Sequence, residues 1–272
     1  MTPLGVGRYE GSIDRGWWIQ RGPNGGYIAA MILQAIMLET ADPQRAPRSL
    51  TIHYTRPPAE GPVDVEVTTE REGRMVSTLS ARMLQNGKLM AVALAAVAKD
   101  QPAMSFSDAR PPAVRPPDEL AAGPTDMPSP SGGPNEIPMR QRYESRWAIG
   151  APPGATSGGA APADTRGGVP AEVGGWIRLA DPTRVDHTVV AALTDAWMPA
   201  VFSRMQVPVA VPTVELTVHF REPPAFEPQW SLVRFRSRHA AHGYVEEEGE
   251  VWSEDGRLLA QSRQLALLLS MA

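Results

Sequence analysis

Two distant stretches of the chain read almost alike. Residues 49–58, SLTIHYTRPP, and 212–224, PTVELTVHFREPP, share a core in which Leu-Thr-Ile-His-Tyr-Thr-Arg-Pro-Pro meets Leu-Thr-Val-His-Phe-Arg-Glu-Pro-Pro. Apolar and polar residues alternate at the period of a half-buried strand, and a proline pair stops the strand in each copy. Two copies of one strand motif predict two copies of one fold. The informative positions are then those where one copy carries a polar group and the other does not.

The order of elements supports a repeat. Arg8-Tyr9-Glu10 opens a strand, residues 16–20 (Gly-Trp-Trp-Ile-Gln) read as a second, and the polar 22–26 turn leads into a helix over 27–39 that is apolar almost all round and so expected to be buried. After the Asp42-Pro43 break come the motif strand and strands over 63–70, 76–85 and 89–98, the last two joined by an Asn86-Gly87 hairpin turn. The second half runs from Arg142-Tyr143-Glu144 through Gly175-Trp176-Ile177-Arg178 to a helix over 187–203, the motif strand, and strands over 230–237, 244–252 and 258–269, with an Asp255-Gly256 turn. One helix followed by antiparallel strands, twice, is an α+β duplication. The expected domains are 1–100 and 139–272, joined by a Pro-rich linker at 101–138, with a Pro/Gly/Ala-rich excursion at 151–171. Residues 101–171 hold half of the chain's 28 prolines, and both segments are expected to be solvated or partly mobile.

Composition bounds the function. With 272 residues, 42% apolar content and a net charge of −4, the chain fills ordinary cores and offers no basic footprint for nucleic acid or an anionic membrane. Cysteine is absent, which excludes thiol nucleophiles and fits a reducing, cytoplasmic setting. No signal-peptide pattern opens the chain, and the longest apolar run, residues 27–38, contains Gln34 and is too short to span a bilayer. No closely spaced His and carboxylate set suggests a metal.

Three polar exceptions to the apolar pattern are candidates for chemistry. Aligning Gly25-Gly26 with Asp186-His187 sets Gln34 opposite Asp195, each the lone strongly polar residue within its apolar helix, and only the second copy is charged. Helical spacing surrounds Asp195 with Ala191, Ala192, Met198 and Pro199, and a buried carboxylate needs hydrogen bonds or a raised pKa. The alternative is an ordinary Asp at a helix bend caused by Pro199. The last strands place Ala95 opposite Gln264, which alternation puts on the inward face with Leu258, Ala260, Ser262 and Ala266. Thr213 enters the second motif strand; in a regular strand it shares parity with Glu215 and Thr217 and points away from the core. His53 and His219 occupy matching positions and read as a repeated structural feature, and His187 as first-turn residue behind an Asp186 N-cap. Glu246 to Glu248 and Glu250 read as a solvated face.

A helix wrapped by an antiparallel sheet, duplicated in one chain and with Asn24-Gly25-Gly26-Tyr27 opening the first helix, resembles the double-hotdog acyl-CoA thioesterases of the thioesterase II type. In that family an Asp on the second helix, a Thr at the start of the next strand and a Gln on the last strand hold the attacking water. Thr194-Asp195-Ala196, Val211-Pro212-Thr213 and the 260–264 segment ending in Gln264 match those sites. The chain departs from the pattern at Glu215-Leu216, where the family often has an Asp-His pair.

The resemblance implies a catalytic set of Asp195, Gln264 and Thr213 acting on an acyl-CoA or other acyl thioester, with no cofactor and no metal. Asp195 is the expected base or orienter of water, and Gly25 and Gly26 supply N–H groups to the oxyanion, with Tyr27 beside them. Met31, Met37 and Met198 are expected to wall the acyl chain. Arg56, Arg184 and Arg221 are the cations suggested for the CoA phosphates. The alternatives are a non-catalytic acyl-thioester binding protein and a hotdog enoyl-thioester hydratase, the latter wanting a His-plus-acid pair where this helix has only Asp195. An internal pseudo-dimer is compatible with a monomer, while hotdog proteins usually associate further into a homodimer or higher homo-oligomer.

Overall fold

The two copies of the repeated motif become neighbouring strands. The computed structural model describes residues 1–123, 137–150, 170–204, 209–225 and 227–270. Its elements are β1 (Thr2–Gly5), β2 (Arg8–Ile13), α1 (Gly25–Thr40), β3 (Arg45–Tyr54), β4 (Gly61–Arg71), β5 (Val76–Gln85), β6 (Lys88–Lys99), β7 (Tyr143–Ile149) and β8 (Glu172–Leu179). They continue with α2 (His187–Leu193), β9 (Val209–Ala210), β10 (Thr213–Phe220), β11 (Ser231–Arg236), β12 (Ala240–Ala241), β13 (Tyr244–Ser253), β14 (Leu258–Leu267) and β15 (Leu269–Ser270). The motif strands β3 and β10 pair antiparallel, Thr51 facing Thr217, and the two hydroxyls lie 3.0 Å apart.

From that central pair the sheet runs outward in mirrored order: β6, β5, β4, β2, β1 on one side and β14, β13, β11, β8, β7 on the other, with β12 against β13. The mirror corrects one reading of the repeat. Arg8-Tyr9-Glu10 lies in β2, whose counterpart is β8, whereas Arg142-Tyr143-Glu144 leads into β7 at the edge. The matching Arg-Tyr-Glu triplets are a coincidence of sequence. Residues 16–20 form no strand: the Asp14 carboxylate accepts the Gly16 N–H at 2.7 Å and winds Arg15–Trp17 into a 3₁₀ turn, so that Trp17 stacks on Tyr27 with ring centroids 5.0 Å apart. The Asn86-Gly87 turn has positive φ at both residues (52° and 71°), the conformation that suits a two-residue hairpin between β5 and β6.

α1 packs against β3, β4, β5 and β6 of the first half, with Ile32, Leu33 and Ile36 wholly enclosed; each such side chain contributes roughly 1.5–3 kcal/mol of burial. It is not buried all round, since Gln34 and Leu38 are exposed, and the N-terminal amine donates to Gln34 at 3.1 Å. α2 stops at Leu193, ten residues short of the expected helix over 187–203, and residues 200–204 form a separate 3₁₀ turn. No helix among the described residues is long and apolar enough to cross a membrane.

The described part of the linker is not simply solvated. Val114 and Leu120 cover a cluster of Trp176, Leu232 and Trp252 on the outer face of the second half, and the Trp176 indole donates to the Arg115 carbonyl at 2.9 Å. Residues 124–136 and 151–169, the rest of the linker and most of the excursion, lie outside the described residues. Leu232→Ala, emptying this cluster, is expected to cost about 2–5 kcal/mol in urea unfolding. Truncation of the partly exposed Leu120 should cost less.

Candidate active site

The site begins at the N-terminus of α1. Asn24 caps the helix through its side-chain oxygen, which accepts the Tyr27 N–H at 3.0 Å, leaving its amide N–H groups to reach across to the second half. They donate to the Asp195 backbone carbonyl at 2.7 Å and to its Oδ2 at 3.1 Å. The Gly26 N–H donates to the same Oδ2 at 3.0 Å. A carboxylate at a helix N-terminus meets unsatisfied N–H groups and the positive end of the helix dipole. The two glycines are required by proximity: a Cβ at Gly25 would lie 2.8 Å from Asp195 Oδ2, and one at Gly26 2.4 Å from the Ala192 carbonyl oxygen.

Asp195 stands just beyond α2 rather than within a helix. The Thr194 hydroxyl bonds the Ala191 carbonyl at 2.7 Å, and the N–H groups of Asp195 and Ala196 close three-residue turns onto Ala192 and Leu193. Such tightening ends the helix, and Pro199 cannot donate to continue it. The carboxylate is thereby carried off the helix axis toward α1. Gln34, its expected counterpart, lies on the open face of α1 and faces no such site.

Gln264 sits on the inward face of β14, buried, as the alternation implies. Thr213 reaches it by an irregularity: the register of β10 against β14 shifts between Thr213 and Glu215, so Thr213 loses parity with Glu215 and its hydroxyl donates to Gln264 Oε1 at 2.9 Å. The Gln264 amide nitrogen donates to Glu247 Oε1 at 2.8 Å, and the side chain also hydrogen-bonds Asp195. Glu247 corrects the reading of the acidic run. It alternates inward on β13, is buried, and takes the Ala200 N–H on Oε2 at 2.5 Å. A buried acid in a run of half-buried ones leaves a sequence signal only in its parity, shared with Val245 and Val251.

Burial pushes the Asp195 carboxyl up to about 6, against the opposing pull of the Gly26, Gly25, Asn24 and Gln264 hydrogen bonds. Burial likewise raises Glu247 to about 7, with the Ala200 and Gln264 bonds opposing and the charges of Asp195 and Glu246 adding. Tyr54 donates to the Gly25 carbonyl at 2.9 Å, and burial with the nearby charges of Asp195 and Glu215 holds its phenol far above the usual range. Asn24, Tyr54 and Glu247 therefore join the site, and none was singled out as a site residue from the sequence.

A cleft of about 310 Å³ runs beside the segment after Asp195, lined by Tyr143, Trp147, Ile177, Ala196, Trp197 and Met198 among others. Tyr143 feels the Asp195 charge, which ties the cleft to the carboxylate. Of the three methionines suggested as walls, only Met198 lines this cleft; Met31 and Met37 pack in the core around α1. The Tyr27 ring stays outside the hydrogen-bonded set, stacked on Trp17 and donating to the Ser12 carbonyl at 3.0 Å, and Trp17 in turn packs edge-on against Tyr143. His53 and His219 are exposed, and Asp186 caps α2. Arg56 donates to the Leu89 carbonyl and Arg221 to the Gln261 side chain. Among the described residues no group of three or more His, Asp or Glu is placed to hold a metal.

Residues 14–98 match the acyl-CoA thioesterase N-terminal domain, and residues 117–268 the acyl-CoA thioesterase C-terminal domain. The chain belongs to the acyl-CoA thioesterase family. This acyl-CoA thioesterase superposes on a hotdog-fold protein of unknown function from Alicyclobacillus acidocaldarius with a TM-score of 0.81 and 28% identity, covering 99% of this chain and 96% of that one. A candidate thioesterase II from Thermobifida fusca gives 0.78 and 26%, covering 97% and 93%. The acyl-CoA thioesterase II of Mycobacterium marinum gives 0.73 at 20% identity, covering 100% and 96%, a likeness of fold. The architecture is an α+β hotdog fold. No curated protein sequence matches the chain.

Two outcomes follow from this geometry. Gly26→Ala should separate α1 from the end of α2 and lower both stability and activity, read by thermal melting and thioester hydrolysis. The second concerns pH. The folded-state values of Asp195 (about 6, from 3.8) and Glu247 (about 7, from 4.5) are raised, so the folded protein binds protons more tightly than the unfolded chain. Stability is then lost as pH rises from about 4 through about 7, and Asp195→Asn should raise the Tm at about pH 8 more than at about pH 5.

Proposed function

We propose that the chain is a tandem hotdog enzyme that hydrolyses acyl-CoA by attack of a water held by Asp195, Gln264 and Thr213. The repeats are 1–100 and 139–272, and a cytoplasmic setting fits the lack of cysteine. The observation that carries the reading is Asp195 itself: a carboxyl near pH 6, pinned by the N-terminus of α1 and reached by the Gln264 amide. A base poised near neutrality takes a proton from water without being permanently protonated. Gln264, fixed by Thr213, restrains the carboxylate and the water between them.

The mirrored sheet order supports the tandem reading, because each half supplies one helix and one run of strands about the β3–β10 pair. The Gly26 N–H, expected to serve the oxyanion, is engaged by Asp195. In this proposal the N-terminus of α1 first holds the base, and its dipole meets charge developing on the thioester oxygen. The acyl chain enters the cleft beside Trp197 and Met198.

The test is free-thiol release from acyl-CoAs of graded chain length. Asp195→Asn, folded, should lose about 10²–10⁴-fold in kcat, and unchanged turnover would sink the mechanism. Met198→Trp should narrow the cleft and penalise long acyl chains over short ones; an unaltered length profile would place the acyl chain elsewhere.

A further inference from the structure

The mirrored sheet gives every residue of β13 and β14 a counterpart in β5 and β6. Glu247 faces Gln264 across β13 and β14, as Leu79 faces Ala95 across β5 and β6. Gln264 lies opposite Leu216 on β10, and Ala95 opposite Leu50 on β3, the positions matched in the repeated motif. The two pairs therefore occupy the same place in the two halves. In the first half that place is closed by Leu79 and Ala95, each 1% exposed. In the second a carboxylate and an amide fill it, at the desolvation cost that any buried charge carries.

A fold that closes with an apolar pair in one half does not need a buried glutamate in the other. The glutamate stands only in the half that contains Asp195. Resting on the thioesterase reading above, we infer that Glu247 is a positioning residue for the hydrolysis, setting the orientation of the Gln264 amide so that its N–H groups serve the two carboxylates and its oxygen serves Thr213. The physical reason lies in the donor inventory. An amide side chain fits its site in two orientations related by a half-turn, and an ionised carboxylate accepts only. Glu247 Oε2 takes the Ala200 N–H, and once the carboxyl has lost its proton, above about pH 7, the turned amide sets its oxygen against a carboxylate oxygen, so the nitrogen faces Glu247. In that orientation the amide presents a donor toward Asp195, whose pKa the Gln264 side chain lowers. Without Glu247, Thr213 alone does not choose, because a hydroxyl both donates and accepts.

Glu247 also couples to the base through the amide that both touch. The charges that act on Glu247 are Asp195, after α2, and Glu246, its neighbour on β13, while Tyr54 on β3 and Tyr143 on β7 respond to Asp195, Tyr54 also to Glu215 on β10. The Gln264 hydrogen bond draws the Asp195 pKa down, so an amide released from Glu247 leaves Asp195 higher and moves the acid limb of the rate profile to higher pH.

The experiment compares the parent with Glu247→Gln and with Glu247→Leu, the latter copying Leu79. Steady-state kcat and KM for acyl-CoA hydrolysis are measured across about pH 5–9, together with NMR titration of the ¹³C-labelled Asp195 carboxyl. Glu247→Gln is expected to lower kcat about 10–100-fold with KM within about twofold, since the amide acts on the reacting water rather than on ground-state binding. The acid limb and the Asp195 titration should both shift up in pH. Kinetics and pH profiles that match the parent in both variants would overturn the inference. A parent without turnover would instead overturn the thioesterase reading; the Asp195 titration then decides alone, an unshifted curve in both variants counting against Glu247.

Discussion

The close approach of the end of α2 to the start of α1 is the contact on which the site depends. It leaves no room for a side chain at Gly26, whose Cβ would meet the Ala192 carbonyl, and little at Gly25. Because the backbones come so near, an Asn24 side chain can cap its own helix and still hold Asp195. The carboxylate is half-buried, and it receives N–H groups from a helix end whose donors have no partner of their own. Those two opposing effects leave it near pH 6, where it can act as a base.

That contact exists only because the two halves stand side by side. The β3–β10 pairing, with Thr51 against Thr217, joins them into one sheet and brings α1 and α2 together over it. Asn24 and Gly26 come from the first half, and Asp195, Thr213, Glu247 and Gln264 from the second. Neither half alone assembles the set. Their divergence follows the same division: the first half keeps apolar Leu79 and Ala95 where the second has Glu247 and Gln264.

Much of the fold was legible in the chain because strand alternation and turn chemistry are local. The Asn86-Gly87 hairpin, the motif strands and the inward face of Gln264 follow from residue types at period two. Readings that assumed regularity went astray where the backbone is irregular. Thr213 turns to Gln264 because β10 shifts register before Glu215. The helix expected over 187–203 ends at Leu193 because Thr194 and the turns after it draw the chain away, and residues 16–20 are wound up by Asp14 rather than extended.

The sequence by itself determined the repeated motif, the α+β class and which residues break the apolar pattern, because burial imposes a period that any reader of the chain can count. Only the tertiary structure decided what those polar residues touch. Asp195 meets a helix N-terminus 169 residues away, and Glu247 meets Gln264 from within a run of half-buried acids. Contacts between distant segments are set by the packing of two halves against each other, and no local pattern records which carboxylate that packing will enclose.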